Sequence, residues 1–304
     1  PAAKAWLSER ELPSDECLLR RVVTANGRSK AWINGQPATV SDLVQRARGE
    51  VGAFRQTISD GAFRVVLQPI LATRTGAIHH FEALSRFEGG GSPAQRIRFA
   101  EETGMIHEFD LAMVREVLAW LRGQPRDMPG LKVAVNVSGN SVGRPEYVEA
   151  LRELLDANSW ARGRLLFEIT ESARMTDLAQ ADQFIQSVRG RGYPVCLDDL
   201  GAGAASFRYL SALDVDYVKI DGQALHHARS AAKGQAFLSA LVELCQRLGT
   251  HTIAEMIDDA DALSFVHTCG VDYVQGFLFG RPSPKLRDFS PLPNATLFQR
   301  FAAR

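Results

Sequence analysis

The stretch Val195-Cys196-Leu197-Asp198-Asp199-Leu200-Gly201-Ala202-Gly203 opens as a short apolar run and closes as a glycine-rich loop. Such a run reads as a buried parallel strand. Two neighbouring carboxylates at its end repel each other unless a positive charge lies between them, which points to a divalent cation. An isolated Asp-Asp pair in a solvated loop would need no such partner. The pair carries weight here because other strand ends bear the same chemistry.

Working outward, strand-like apolar runs fall at 63–68, 78–84, 132–136, 164–169, 194–198, 216–220, 251–255 and 272–275. Helical periodicity fills the spaces between the later ones. Leu178, Ala181, Phe184, Ile185 and Val188 form one stripe stopped by Gly190; Phe237, Leu241, Leu244, Cys245 and Leu248 form another stopped by Gly249. A single apolar stripe with a glycine stop is the pattern of an outer-layer helix. Eight strands with intervening helices predict an α/β fold, a (β/α)8 TIM-type barrel. The first pair departs from the rule. Leu71–Ala77 is too short for a crossover helix, so the first strand is expected to run antiparallel to the second.

Residues 1–48 have a different texture and read as a small N-terminal extension. A hairpin is predicted across Leu18–Ile33 around Asn26-Gly27, followed by a second Asn-Gly at Asn34-Gly35 and a helix start at Ser41-Asp42. The barrel is expected over 50–290, with 291–304 as a C-terminal tail.

Composition bounds the function classes. The 304 residues are 45% hydrophobic and 23% charged, enough for one large core. Thirty-five Lys and Arg balance thirty-five Asp and Glu, so no global field favours a DNA or RNA polymer or direct contact with an anionic membrane. Cys17, Cys196, Cys245 and Cys269 are scattered with no CxxC pair, as expected of reduced residues in a cytoplasmic domain. No apolar run approaches membrane-spanning length, and a longer parent chain would be free to carry an anchor.

In barrel enzymes the chemistry gathers at the C-terminal ends of the strands. Those ends read Glu82, Asn136, Glu168, Asp198 with Asp199, Lys219, Glu255 and Gln275. Packing alone would not end every strand from the second onward in a polar residue. Hard oxygen donors suit Mg2+ or Mn2+ and not zinc. An adjacent Asp pair can reach two ions, one carboxylate bridging and one terminal, the layout for in-line phosphoryl displacement. Lys219 is then either a counter-ion to the carboxylates or a group that orients the attacking water. His79-His80 and His226-His227 have no carboxylate or Cys at ligand spacing and read as packing or solvent-facing residues.

Taken together, Phe81-Glu82-Ala83-Leu84-Ser85-Arg86, Asn136-Val137-Ser138, Phe167-Glu168-Ile169-Thr170-Glu171, Asp198-Asp199-Leu200-Gly201-Ala202-Gly203, Val218-Lys219-Ile220-Asp221, Ala254-Glu255 and Gln275-Gly276-Phe277 resemble the EAL domain family, in order, from about 52 to 284. The resemblance implies a barrel with one antiparallel strand. The activity it implies is two-metal hydrolysis of the bacterial second messenger cyclic di-GMP to linear pGpG by in-line attack of water. It places one ion on Glu82, Asn136, Glu168 and Asp198, and a second on Asp198, Asp199 and Glu255. Lys219 and Glu255 are implied to position or deprotonate the water, with Gln275 in support. Gln68, Leu84, Arg86 and Asp110 match positions that contact the substrate, Arg86 gripping a phosphate. Glu171 matches the anchor of the loop after the Asp pair, and a homodimer through the face near that loop is implied. The loop departs from the family's DDFGTGYSSL: Ala202 lacks a hydroxyl and Ala204 an aromatic ring. That departure favours the alternative of a catalytically silent receptor for the same nucleotide, signalling through attached domains. No implied metal position is lost, and on that ground the active enzyme is expected. Separately, residues 1–48 resemble a fragment of the ATPase head of RecN-type DNA-repair proteins, without the GxxxxGK[ST] loop that ATP hydrolysis needs.

Overall fold

A three-stranded antiparallel sheet opens the chain: β1 (Leu19–Val23), β2 (Ser29–Ile33) and β3 (Gln36–Ala38). The computed structural model describes residues 19–23, 29–88, 90, 92–125, 131–170, 177–200, 206–289 and 295–298. The expected hairpin partners are in place, Leu19 opposite Ile33 and Val23 opposite Ser29, although its Asn26-Gly27 turn lies outside the described residues. At the second Asn-Gly, Asn34 and Gly35 both take positive φ (49° and 79°), as a two-residue turn joining twisted strands requires. Thr39 then caps α1 (Val40–Ser59): its hydroxyl accepts from the Asp42 N–H while Asp42 accepts from the Thr39 N–H, both at 3.0 Å. The helix runs unbroken through residues 48–50, where the extension was expected to end. Residues 1–63 with 87–105 form one unit. Inside it Phe54 packs its ring against Phe87 and Phe99, and α2 spans Pro93–Glu102.

Residues 64–86 with 106–304 form the other unit. Its strands are β4 (Phe63–Ala72), β5 (Ile78–Phe87), β6 (Val133–Ser138), β7 (Leu165–Thr170), β8 (Val195–Leu200), β9 (Tyr217–Ile220), β10 (His251–Ala254) and β11 (Tyr273–Val274), closed into a barrel in sequence order. Strands β5 to β11 pair in parallel and β4 pairs antiparallel with β11, which is the reversed first strand that the short connection predicts. The connection is tighter still than expected. Strand β4 extends to Ala72, and the Ala72 N–H closes the turn by donating to the Ala77 carbonyl. The helices that follow β5 to β10 include α3 (Ile106–Arg122), α4 (Gly139–Val142), α5 (Pro145–Ala157), α6 (Leu178–Arg189), α7 (Ser206–Ala212), α8 (Gly222–Ser230), α9 (Gly234–Arg247) and α10 (Ala260–Thr268). No helix among the described residues is long and apolar enough to cross a membrane.

Alternation along the strands sorts the residues. Val133, Val135, Phe167, Val195, Leu197 and Val218 join the core shared with the helices. Their neighbours Asn136, Glu168, Asp198 and Lys219 therefore face the barrel axis. At the N-terminal end the interior is closed by rings. His79 packs tilted against Tyr273 (centroids 4.3 Å apart) and Tyr217 (5.6 Å), and His251 lies 5.8 Å from each tyrosine.

Candidate active site

The side chains expected at the strand ends converge on one buried cation. Lys219 is fully buried, and its Nζ lies 2.7 Å from Glu255, 3.1 Å from Glu168, 3.4 Å from Glu82 and 3.6 Å from Asp198. An ammonium taken out of water normally loses its proton more easily, but this one is held by so much negative charge that its pKa rises well above the usual lysine value. One cation cannot satisfy four acids, so the carboxylates divide. Glu82 is the best served: burial opposes its charge, but Lys219 with hydrogen bonds from Gln275 (2.6 Å) and Asn136 (2.7 Å) outweighs it and lowers its pKa. Glu168, fully buried, is pushed well up by desolvation, and its Oε1 has no hydrogen-bond partner. Burial likewise raises Asp198, and raises Glu255 to about 7.

The Asp pair needs more than a strand end. Successive residues of a regular strand point to opposite faces, which would separate two adjacent carboxylates. Between Leu197 and Leu200 the pairing of β8 with β9 shifts register, so a bulge holds the pair. Asp199 there takes φ 61°, and its N–H donates to Asp198 Oδ1 at 2.9 Å. The result is that Asp198, Asp199 and Glu255 each bring a carboxylate oxygen within 4.8 Å of one another. An all-oxygen set, an excess of buried negative charge and the orphaned Glu168 oxygen all fit a hard divalent ion.

The remaining expected residues spread around this centre. Gln275, just past β11, joins Glu82 to Gln68 of β4, donating to each. Leu84 and Arg86 share the face of β5 with Glu82, further toward the mouth; Arg86 donates to the Ser85 carbonyl at 2.8 Å. Asp110 of α3 is buried and accepts from the Ser138 N–H and the Ser141 hydroxyl, so it fastens the turn that follows Asn136. Glu171 and the loop residues 201–205, with Ala202 and Ala204, lie outside the described residues. The sequence reading passed over His80. Its Nε2 comes within 3.9 Å of Glu168, beneath the site, and burial lowers its pKa well below the ordinary value. The signal was available, because position 80 shares the inward face with Glu82. His226 and His227 are exposed on α8.

Residues 51–282 match the sequence profile of the EAL domain. Among curated proteins, cyclic di-GMP phosphodiesterase PdeB of Shewanella oneidensis is 32% identical over 64% of this chain and 22% of its own length. Cyclic di-GMP phosphodiesterase NbdA of Pseudomonas aeruginosa is 31% identical over 76% of this chain and 30% of its own length. The chain thus spans under a third of either relative. Among solved structures, the FimX EAL domain of Xanthomonas citri in complex with c-diGMP superposes with a TM-score of 0.71 at 27% identity, covering 79% of this chain and 96% of that one. The PaMucR phosphodiesterase in its c-di-GMP complex gives 0.67 at 27% identity, over 78% and 98%. Profile, relatives and barrel agree, and the chain belongs to the EAL domain family.

Proposed function

We propose that this domain binds cyclic di-GMP and hydrolyses it to linear pGpG, using two divalent cations, Mg2+ or Mn2+. The observation that carries the reading is the bulged Asp198-Asp199 pair brought against Glu255 beside a lysine already shared by four acids. Glu82, Asn136, Glu168 and Asp198 would hold one ion, and Asp198, Asp199 and Glu255 the other. Bound there, the ions supply Lewis acidity toward the phosphodiester and lower the pKa of water.

The protein's own groups do the rest. Lys219 has donors and no acceptor, so it is not a ligand. It offsets the carboxylates and aims at the attacking water, and Glu255, 2.7 Å from the lysine, is the carboxylate placed to take the proton. Arg86 offers a guanidinium to a phosphate at the mouth, and Gln68 and Leu84 face the same space. Asp110, matched to a substrate-contacting position, also holds the turn after Asn136 through Ser138 and Ser141. The test is incubation with cyclic di-GMP and Mg2+ or Mn2+, with pGpG as the expected product and none in excess chelator. Saturable binding without product would replace this reading with a nucleotide receptor.

A further inference from the structure

The turn that carries Glu255 is gripped from two sides by glycines that lack room for a side chain. On one side, a Cβ added to Gly276 would meet the Ile257 carbonyl oxygen at 2.1 Å. On the other, a Cβ added to Gly222, the first residue of α8, would lie 2.3 Å from Met256 Sδ, 2.5 Å from Cγ and 2.7 Å from Cβ. Gly222 has an unexceptional φ, so space, not backbone freedom, is what the glycine supplies. The backbone on either side of Met256 is fixed as well: the Glu255 N–H donates to the Ile220 carbonyl and the Ile257 N–H to the Gln275 carbonyl.

Met256 itself adopts φ 54°, a left-handed conformation that costs a residue with a Cβ about 1–2 kcal/mol. Met256 is 62% exposed, so core burial does not offset that strain. Met256 is thus a strained, exposed methionine lying on a bare glycine, next to an acid 2.7 Å from Lys219.

We propose that Met256, seated on Gly222, is a positioning residue that sets the direction of the Glu255 carboxylate. The start of α8 thereby fixes the acid at the end of β10. This rests on the reading of Glu255 as part of the hydrolytic site.

Four proteins test it: wild type, Gly222→Ala, Met256→Gly and the double variant. Gly222→Ala should lower kcat by about tenfold or more, since displacement by about 1 Å can cost on the order of 100-fold. KM for cyclic di-GMP should change little, and Mn2+ affinity measured by calorimetry should weaken in parallel. Met256→Gly removes all three colliding atoms together with the group that sets the carboxylate, so it should itself lower kcat and weaken Mn2+ binding, and the double variant should match Met256→Gly alone; wild-type kcat and Mn2+ affinity in Met256→Gly would overturn the proposal. Wild-type kcat and Mn2+ affinity in Gly222→Ala would overturn the proposal. So would a double variant as impaired as Gly222→Ala, because the damage would then lie in α8. If Gly222→Ala does not fold, a folded double variant assigns the fault to the Met256 collision, and a misfolded one overturns the assignment. A wild type that yields no pGpG defeats the phosphodiesterase reading alone; the Mn2+ titrations of the same four proteins still decide the contact.

Discussion

The two ends of the barrel interior are built from the same strands and obey opposite rules. At the N-terminal end, His79, Tyr217, His251 and Tyr273 fill the space with rings in mutual contact. Two residues further along two of those strands, Lys219 and Gln275 enter a cluster of acids whose charges the protein alone leaves unbalanced. One end stabilises the barrel by packing. The other holds repulsion that a bound cation would relieve, and it relies on the first to do so.

Removing a group from each end should break the molecule in different ways. Asp198→Ala should abolish turnover and Mn2+ binding together, read by a pGpG assay and calorimetry, because it takes the carboxylate shared by both proposed ion sites. Lys219→Ala comes next: kcat should fall at least about 100-fold by the usual scale of acid–base and positioning effects, with cyclic di-GMP affinity little changed. Near-normal kcat in that variant would leave the lysine a structural counter-ion. At the ring-filled end, Tyr273→Ala should cost about 2 kcal/mol of stability in denaturant unfolding, less than the ~3–5 kcal/mol of a fully buried aromatic because Tyr273 is only half-buried, and leave kcat within a few-fold.

The smallest expected effects are opposed slopes in pH. Burial, with Lys132 and His251 nearby, lowers His79 from 6.5 to about 4, so the unfolded chain takes up this proton first and stability is lost as pH falls across that window. Glu255 is raised from 4.5 to about 7, so the folded protein keeps its proton longer and stability is lost as pH rises across that window. In metal-free protein, His79→Gln should therefore tilt the dependence of Tm on pH toward loss at higher pH, and Glu255→Gln toward loss at lower pH. Calorimetric scans between pH 4 and 7 would show whether the two ends titrate independently.

The outer architecture was legible because it depends on period. Strands alternating between helix-facing and axis-facing residues, helices stopped at Gly190 and Gly249, and a turn too short for a crossover all follow from local spacing, although the second stripe is misplaced: Phe237 and Leu248 are exposed, and α9 buries Leu238, Val242 and Cys245. The residues of the site were legible as strand ends for the same reason. Their geometry was not. Nothing in the letters Asp198-Asp199 announces a bulge, since that shift is imposed by pairing with β9, a partner some twenty residues away. His80 was passed over because it was judged by ligand spacing along the chain, whereas its neighbour Glu168 comes from another strand. The contact of Met256 with Gly222 likewise joins the turn after β10 to the start of α8, and neither letter announces it in its own segment.

The thinness of one seam has a consequence for dynamics. Strands β6 and β7 share six residue pairs, but β11 holds β4 by two, Tyr273 to Ala72 and Val274 to Leu71. Backbone amides along that seam should be among the first of the barrel to exchange with deuterated solvent. The side-chain bridge nearest to it runs from Glu82 through Gln275 to Gln68 and crosses from β5 to β11 to β4. A ligand that orders Glu82 and Gln275 therefore also latches the barrel shut, and occupancy of the site should be readable as slowed exchange at Leu71, Thr73 and Val274.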